Sequence, residues 1–62
     1  MTGDEFRSII ERTGHSAYTL EDRWGVGKST IHRECQREEV RGLYEDAART
    51  LEREHKGDSP NQ

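Results

Sequence analysis

Apolar side chains are sparse along this chain, and they recur at helical spacing. Phe6, Ile9 and Ile10 fall at i, i+3 and i+4, a single stripe on one helix face. Leu20 and Trp24 stand one turn apart, Ile31 and Cys35 likewise, and Leu43, Tyr44, Ala47, Ala48 and Leu51 line one side of a longer segment. Val, Ile, Phe and Tyr nowhere alternate over the length of a strand. The pattern predicts an all-α domain of four helices, over about 3–13, 17–24, 28–36 and 41–55. The punctuation agrees. Thr2 with Glu5 reads as a capping box, and Ser16 and Gly27 as N-caps. Gly14 and Gly25 stand where a left-handed residue ends a helix. Gly42 weakens the first turn of the last helix by up to ~1 kcal/mol relative to Ala. Residues 36–40 read as a loop, and the polar stretch 56–62 as a disordered tail behind a domain spanning 1–55.

Sixty-two residues, 27% hydrophobic and 37% charged, make one small domain whose core is thin, because a chain this short buries only ~60% of its unfolded surface. There is no room for a doubly wound sheet or a barrel, and no apolar run reaches the ~18 residues of a membrane span. The opening Met1 to Phe6 is polar and acidic, unlike a signal peptide. A single cysteine, Cys35, makes no internal disulfide and fits a reducing cytosol. The net charge is −3, whereas nucleic-acid-binding domains are commonly basic. The distribution changes that picture. Residues 1–16 carry a net −1, residues 38–62 a net −3, and residues 17–37 a net +1 from Arg23, Lys28, Arg33 and Arg37 against Glu21, Asp22 and Glu34. A phosphate-facing surface has to come from the middle third.

That middle third holds the informative constellation. Two short helices flank about three residues with Gly25 at the bend, and Val26 and Ile31 close the angle from inside. This is the pattern of a helix-turn-helix, in which the second helix enters the DNA major groove. Residue by residue, Ser16-Ala17-Tyr18-Thr19-Leu20-Glu21-Asp22-Arg23-Trp24-Gly25-Val26-Gly27-Lys28-Ser29-Thr30-Ile31-His32-Arg33 resembles the DNA-binding domain of the Cro and lambda-repressor family, the xenobiotic-response-element class. Members show Leu, Gly-Val and Ser-Thr-Ile at these spacings. Met1 to Phe6 looks like their first helix, and Val40 to Leu51 is similar to the closing helix of very short phage regulators, including those encoded beside anti-CRISPR genes. The resemblance covers roughly residues 2–52. Two positions depart from it. Glu21 stands where the family has Ala, and Glu34 where it favours an apolar residue; each either turns outward or is a buried charge needing a partner.

With Ile31 inward, Lys28, Ser29, His32 and Arg33 share the outer face of the third helix. The resemblance implies base-edge contacts from Lys28, Ser29 and Arg33, and arginine suits guanine. Thr30, Arg23 and Arg37 are candidate phosphate partners, as is the backbone N–H of Ala17, which replaces a phosphate-binding Gln of the family. The resemblance further implies a homodimer on a near-palindromic double-stranded operator. Leu43, Tyr44, Ala47 and Leu51 are the expected dimer surface, with Tyr44 and Leu51 left over for the partner. The expected function is a sequence-specific transcriptional regulator, a phage or mobile-element repressor or autorepressor in the bacterial cytosol. The alternative is an acidic protein-binding module, a phage inhibitor or DNA mimic acting on a host protein.

Other chemistry finds little support. Gly25-Val26-Gly27-Lys28-Ser29-Thr30 imitates the tail of a phosphate-binding loop, but Asp22 occupies the place of its first glycine and no strand precedes it. His32 and Cys35 form an H-x-x-C pair without the clustered second pair of a zinc site. No catalytic constellation is recognisable, so no enzyme, metal, cofactor or small-molecule substrate is expected.

Overall fold

The computed structural model describes residues 1–57 of the chain. They form four helices and, among the described residues, no strand: α1 Gly3–Arg12, α2 Ala17–Trp24, α3 Lys28–Cys35 and α4 Gly42–Gly57. The all-α expectation holds, with small shifts at the ends. Arg41 is the N-terminal cap of α4 rather than its first residue, its carbonyl accepting from Tyr44 N and Glu45 N. Lys56 and Gly57, expected in the tail, continue α4 instead. The remainder of that expected tail, 58–62, lies outside the described residues.

Local signals set most boundaries. At α1 the Thr2 hydroxyl accepts from Glu5 N while Thr2 N donates to the Glu5 carboxylate, both at 3.2 Å. Ser16 and Thr19 repeat the reciprocal arrangement at α2, a pairing the sequence reading left at Ser16 alone. Gly14 and Gly25 adopt φ of 80° and 68°, the left-handed region in which a Cβ is unfavourable.

Helix α1 is the hub, packed against both α3 and α4, while α2 packs on α3. Phe6, Ile9, Ile10, Leu20, Ile31, Cys35, Val40, Tyr44, Ala48 and Leu51 form the core. At its centre Phe6 stacks on Trp24 with ring centroids 6.0 Å apart and meets Tyr44 edge-on at 6.2 Å. Aromatic pairs at such separations contribute about 0.5–1.5 kcal/mol beyond area burial. The expected dimer surface is therefore corrected in part: Tyr44 is only 8% exposed and Leu51 1%. Both cover α1, which has three large apolar side chains to hide, so neither is left for a partner.

The connection between α3 and α4 holds two features the pattern of apolar positions does not reveal. Val40 is buried, and its N–H donates to Met1 O at 2.9 Å. Beside it, Gly3 N donates to Arg37 O at 2.8 Å. A Cβ on Gly3 would lie 2.2 Å from the Cys35 carbonyl oxygen, so only glycine lets α1 approach the end of α3 this closely.

Glu34 is fully buried. Arg37 Nε donates to its carboxylate at 3.1 Å and Arg41 Nε at 2.8 Å, and Arg41 N adds a longer bond at 3.4 Å. The departure from the family pattern at position 34 is thus a buried charge with two partners, while Cys35 is buried beside it. Desolvation pushes the Glu34 carboxyl up, but the hydrogen bonds from Arg41 and the charges of Arg37 and Arg41 outweigh it, and the group ends below the ordinary value.

Two consequences follow for stability. Removing one member of a buried ion pair costs about 3–5 kcal/mol when the survivor is trapped. Here Arg37 and Arg41 are about half exposed and turn to water, so Glu34→Ala is expected to lower the unfolding free energy by roughly 2 kcal/mol in urea denaturation. Because the folded carboxyl titrates low, its contribution is complete above the ordinary 4.5 and is lost as pH falls through the folded value. Wild-type stability should drop on acidification below about pH 4.5, with a shallower drop in Glu34→Gln.

Candidate nucleic-acid interface

Helices α2 and α3, of eight residues each, are joined by Gly25, Val26 and Gly27. The positive φ of Gly25 ends α2, and Val26 tucks against the core. With Ile31, Glu34 and Cys35 inward, the opposite side of α3 faces out. Lys28, Ser29, His32 and Arg33 are all exposed there, at i, i+1, i+4 and i+5 and hence on one face. Thr30 is half-buried at the edge of that face, and Ala17 is half-buried at the start of α2.

The two other expected phosphate partners sit differently. Arg23 reaches across to α4 and donates to the Glu54 carboxylate, and Arg37 is held by Glu34. Arg12 and Arg49 converge on Glu52. Lys28 and Arg33 make no ion pair among the described residues. The outer face of α3 thus presents two cations free of carboxylates among the described residues. Solvent-exposed pairs such as Arg23–Glu54 are worth about 0–1 kcal/mol, little enough for a phosphate to compete.

Glu21 lies outward, unlike the Ala of the family pattern. Its carboxylate accepts from Lys28 N at 3.2 Å. Gly27, the cap of α3, has no side chain to offer, so Glu21 satisfies a first-turn N–H from the neighbouring helix. The carboxylate also sits favourably at the positive end of the helix dipole. Tyr18, one turn before Glu21 on α2, is 66% exposed, and the Lys28 ammonium lies 4.3 Å from its ring centroid. Neither role was read from the sequence. The i, i+3 spacing of Tyr18 and Glu21 was visible, but that both reach a residue beyond the turn depends on how α2 and α3 pack.

A shallow groove beside this face is lined by Arg7 and Glu11 of α1, His15, Ser16 and Ala17 at the start of α2, and His32 and Cys35 of α3. Although His32 and Cys35 share it, no group of three or more metal-ligating side chains occurs among the described residues. Burial pushes the Cys35 thiol up, with Arg7 only partly offsetting it, so its thiolate, the reactive form, is disfavoured. No helix of the described residues is long and apolar enough to cross a membrane.

No family model, curated protein or solved structure matches this chain. The interface therefore rests on its residues alone.

The capping arrangement is directly testable. Glu21→Ala should reduce stability by roughly 0.5–1 kcal/mol, the lower part of the ~0.5–2 kcal/mol range for a lost N-cap. Gly27 has φ near −68° and open space at its Cβ position, so Gly27→Ser in the Glu21→Ala background should recover most of the loss. Thermal unfolding followed by circular dichroism measures both.

Proposed function

We propose that this chain is a sequence-specific double-stranded DNA-binding regulator that inserts the outer face of α3 into the major groove. The observation that carries the reading is that face itself. Lys28, Ser29, His32 and Arg33 project together from a helix held behind a three-residue glycine turn, and among the described residues its two cations are in no ion pair. The fit to DNA is chemical: arginine and lysine donate to guanine O6 and N7, and serine to either kind of edge. Thr30, the Ala17 N–H, and Arg23 once released from Glu54 are the proposed backbone contacts, while Arg37 stays on the buried Glu34. In this reading the protein is a repressor or autorepressor of phage or mobile-element type in the bacterial cytosol, and it needs no cofactor.

The partner chain in this reading is a second copy. Leu43 is 77% exposed and lines a mainly apolar groove with Arg23, Trp24, Val26 and Ala47, together with the largely buried Tyr44. One patch holding both a projecting side chain and a groove is self-complementary, as a two-fold interface requires. Leu43 and Ala47 remain from the expected dimer surface, and Trp24 and Val26 replace Tyr44 and Leu51. Leu43→Glu should convert a dimer to a monomer in sedimentation velocity while leaving the circular dichroism spectrum unchanged.

Selection from a random duplex pool at ~0.15 M salt tests the DNA reading, with a scrambled duplex of equal length as control. The expected result is one enriched sequence bound at nanomolar protein, with a steep negative slope of log K against log salt. Arg33→Ala should weaken that complex by ~1–3 kcal/mol and relax one base position. Failure of the folded protein to enrich any duplex would refute the proposal and favour the second reading, an acidic protein-binding module, which the net charge of −3 supports.

A further inference from the structure

Tyr18 is a large aromatic side chain placed where water reaches two-thirds of it. It contributes nothing to the core, yet its ring is occupied, because the Lys28 ammonium lies over its face at 4.3 Å. The same lysine is held at its other end, its backbone N–H donating to Glu21 Oε2 at 3.2 Å. Tyr18 and Glu21 stand one turn apart on α2, so one helix grips both ends of the first residue of the next. An unrestrained lysine has a flexible four-carbon stem and spreads its charge over many rotamers. Here the ring quadrupole confines the ammonium to the mouth of the turn.

Two chemical facts determine what an ammonium fixed at that point recognises. It is a donor only, and in the major groove guanine alone offers two adjacent acceptors, O6 and N7, whereas adenine sets its N6–H donor beside N7. The Glu21 carboxylate at the same helix start repels a phosphate, so the backbone is disfavoured where a base edge is not. We propose that Tyr18 is a specificity-determining positioning residue that holds the Lys28 ammonium for a single guanine of the target duplex. The inference rests on the DNA-binding reading and adds to it a residue outside α3 together with the base it selects.

The test uses the full chain and the duplex recovered by the selection above. Fluorescence anisotropy is read for wild type, Tyr18→Phe, Tyr18→Leu and Lys28→Ala. The duplexes are the recovered one, a scrambled control, and a set with each guanine replaced in turn by 7-deazaguanine, which lacks the N7 acceptor. Besides any guanine read by Arg33, at which Arg33→Ala is indifferent, wild type and Tyr18→Phe should lose affinity at one further guanine, and Lys28→Ala should be indifferent there. Tyr18→Leu keeps an apolar side chain without a ring, and should bind the recovered duplex about two- to fivefold more weakly. Its sensitivity at that guanine should be blunted, and its affinity for the scrambled control unchanged. An exposed position leaves the thermal midpoint as a check that Tyr18→Leu is folded like wild type. If Tyr18→Leu reproduces the wild-type affinity and 7-deazaguanine profile, or weakens all duplexes equally, the inference is overturned while the DNA-binding reading stands. If wild type enriches no duplex, both fall together.

Discussion

Glu34 lies at zero exposure with the guanidiniums of Arg37 and Arg41 closing over it, and the passage from α3 to α4 is built around that triad. The stretch between the helices contributes one apolar side chain to the core, Val40, which is too little to fix a loop by burial alone. A carboxylate that accepts from a loop residue and from the cap of the next helix supplies the missing constraint. It sets where α4 begins, and therefore where Tyr44 meets Phe6 and Trp24. Replacing such a triad by apolar groups is often harmless, whereas breaking it is not; its worth here is in fixing one path for the chain.

The same economy governs the remaining charge. Arg12, Arg23, Arg37, Arg41 and Arg49 are engaged with carboxylates of the chain itself, so the net charge of −3 is a poor guide to any particular surface. What matters for a polyanionic partner is which cations remain free and which acidic groups stand near them. On the outer side of α3 those are Lys28 and Arg33, with Glu21 at the helix start. An acidic exterior elsewhere would hold down indiscriminate association, which is mainly electrostatic, and leave discrimination to that one face.

Much of the fold was legible in the sequence because its determinants are local. The stripe of Phe6, Ile9 and Ile10, the Thr2 and Ser16 caps and the left-handed Gly25 each act within a few residues, and each produced the element expected of it. What escaped the reading is contact between distant segments. Of the apolar side expected on α4, Tyr44, Ala48 and Leu51 went to the core while Leu43 faces solvent, because which members serve α1 depends on how α4 is rotated. Gly3 drew no reading from the pattern, whereas its absent side chain makes room for the Cys35 carbonyl. The pattern left Glu34 either outward or buried, and only packing put two arginines on it. Of the candidate interface, the four outward residues of α3 follow from Ile31 pointing in. Tyr18 and Glu21 belong to it through the geometry of the turn.

The bonds between the first residues and the connection ahead of α4 also shape how such a chain reaches its native state. Gly3 N to Arg37 O and Val40 N to Met1 O join positions separated by more than half the sequence, while the caps and the meeting of α2 with α3 join near neighbours. Closing a large loop forfeits chain entropy before its contacts repay it, and local contacts assemble sooner than distant ones. The α2–α3 pair is therefore the unit suited to form early, and the clasp of the amino-terminal strand of backbone on the connection is the step suited to come late. A molecule assembled in that order carries its outward-facing helix on its most locally determined part, and is held shut by contacts between its distant segments.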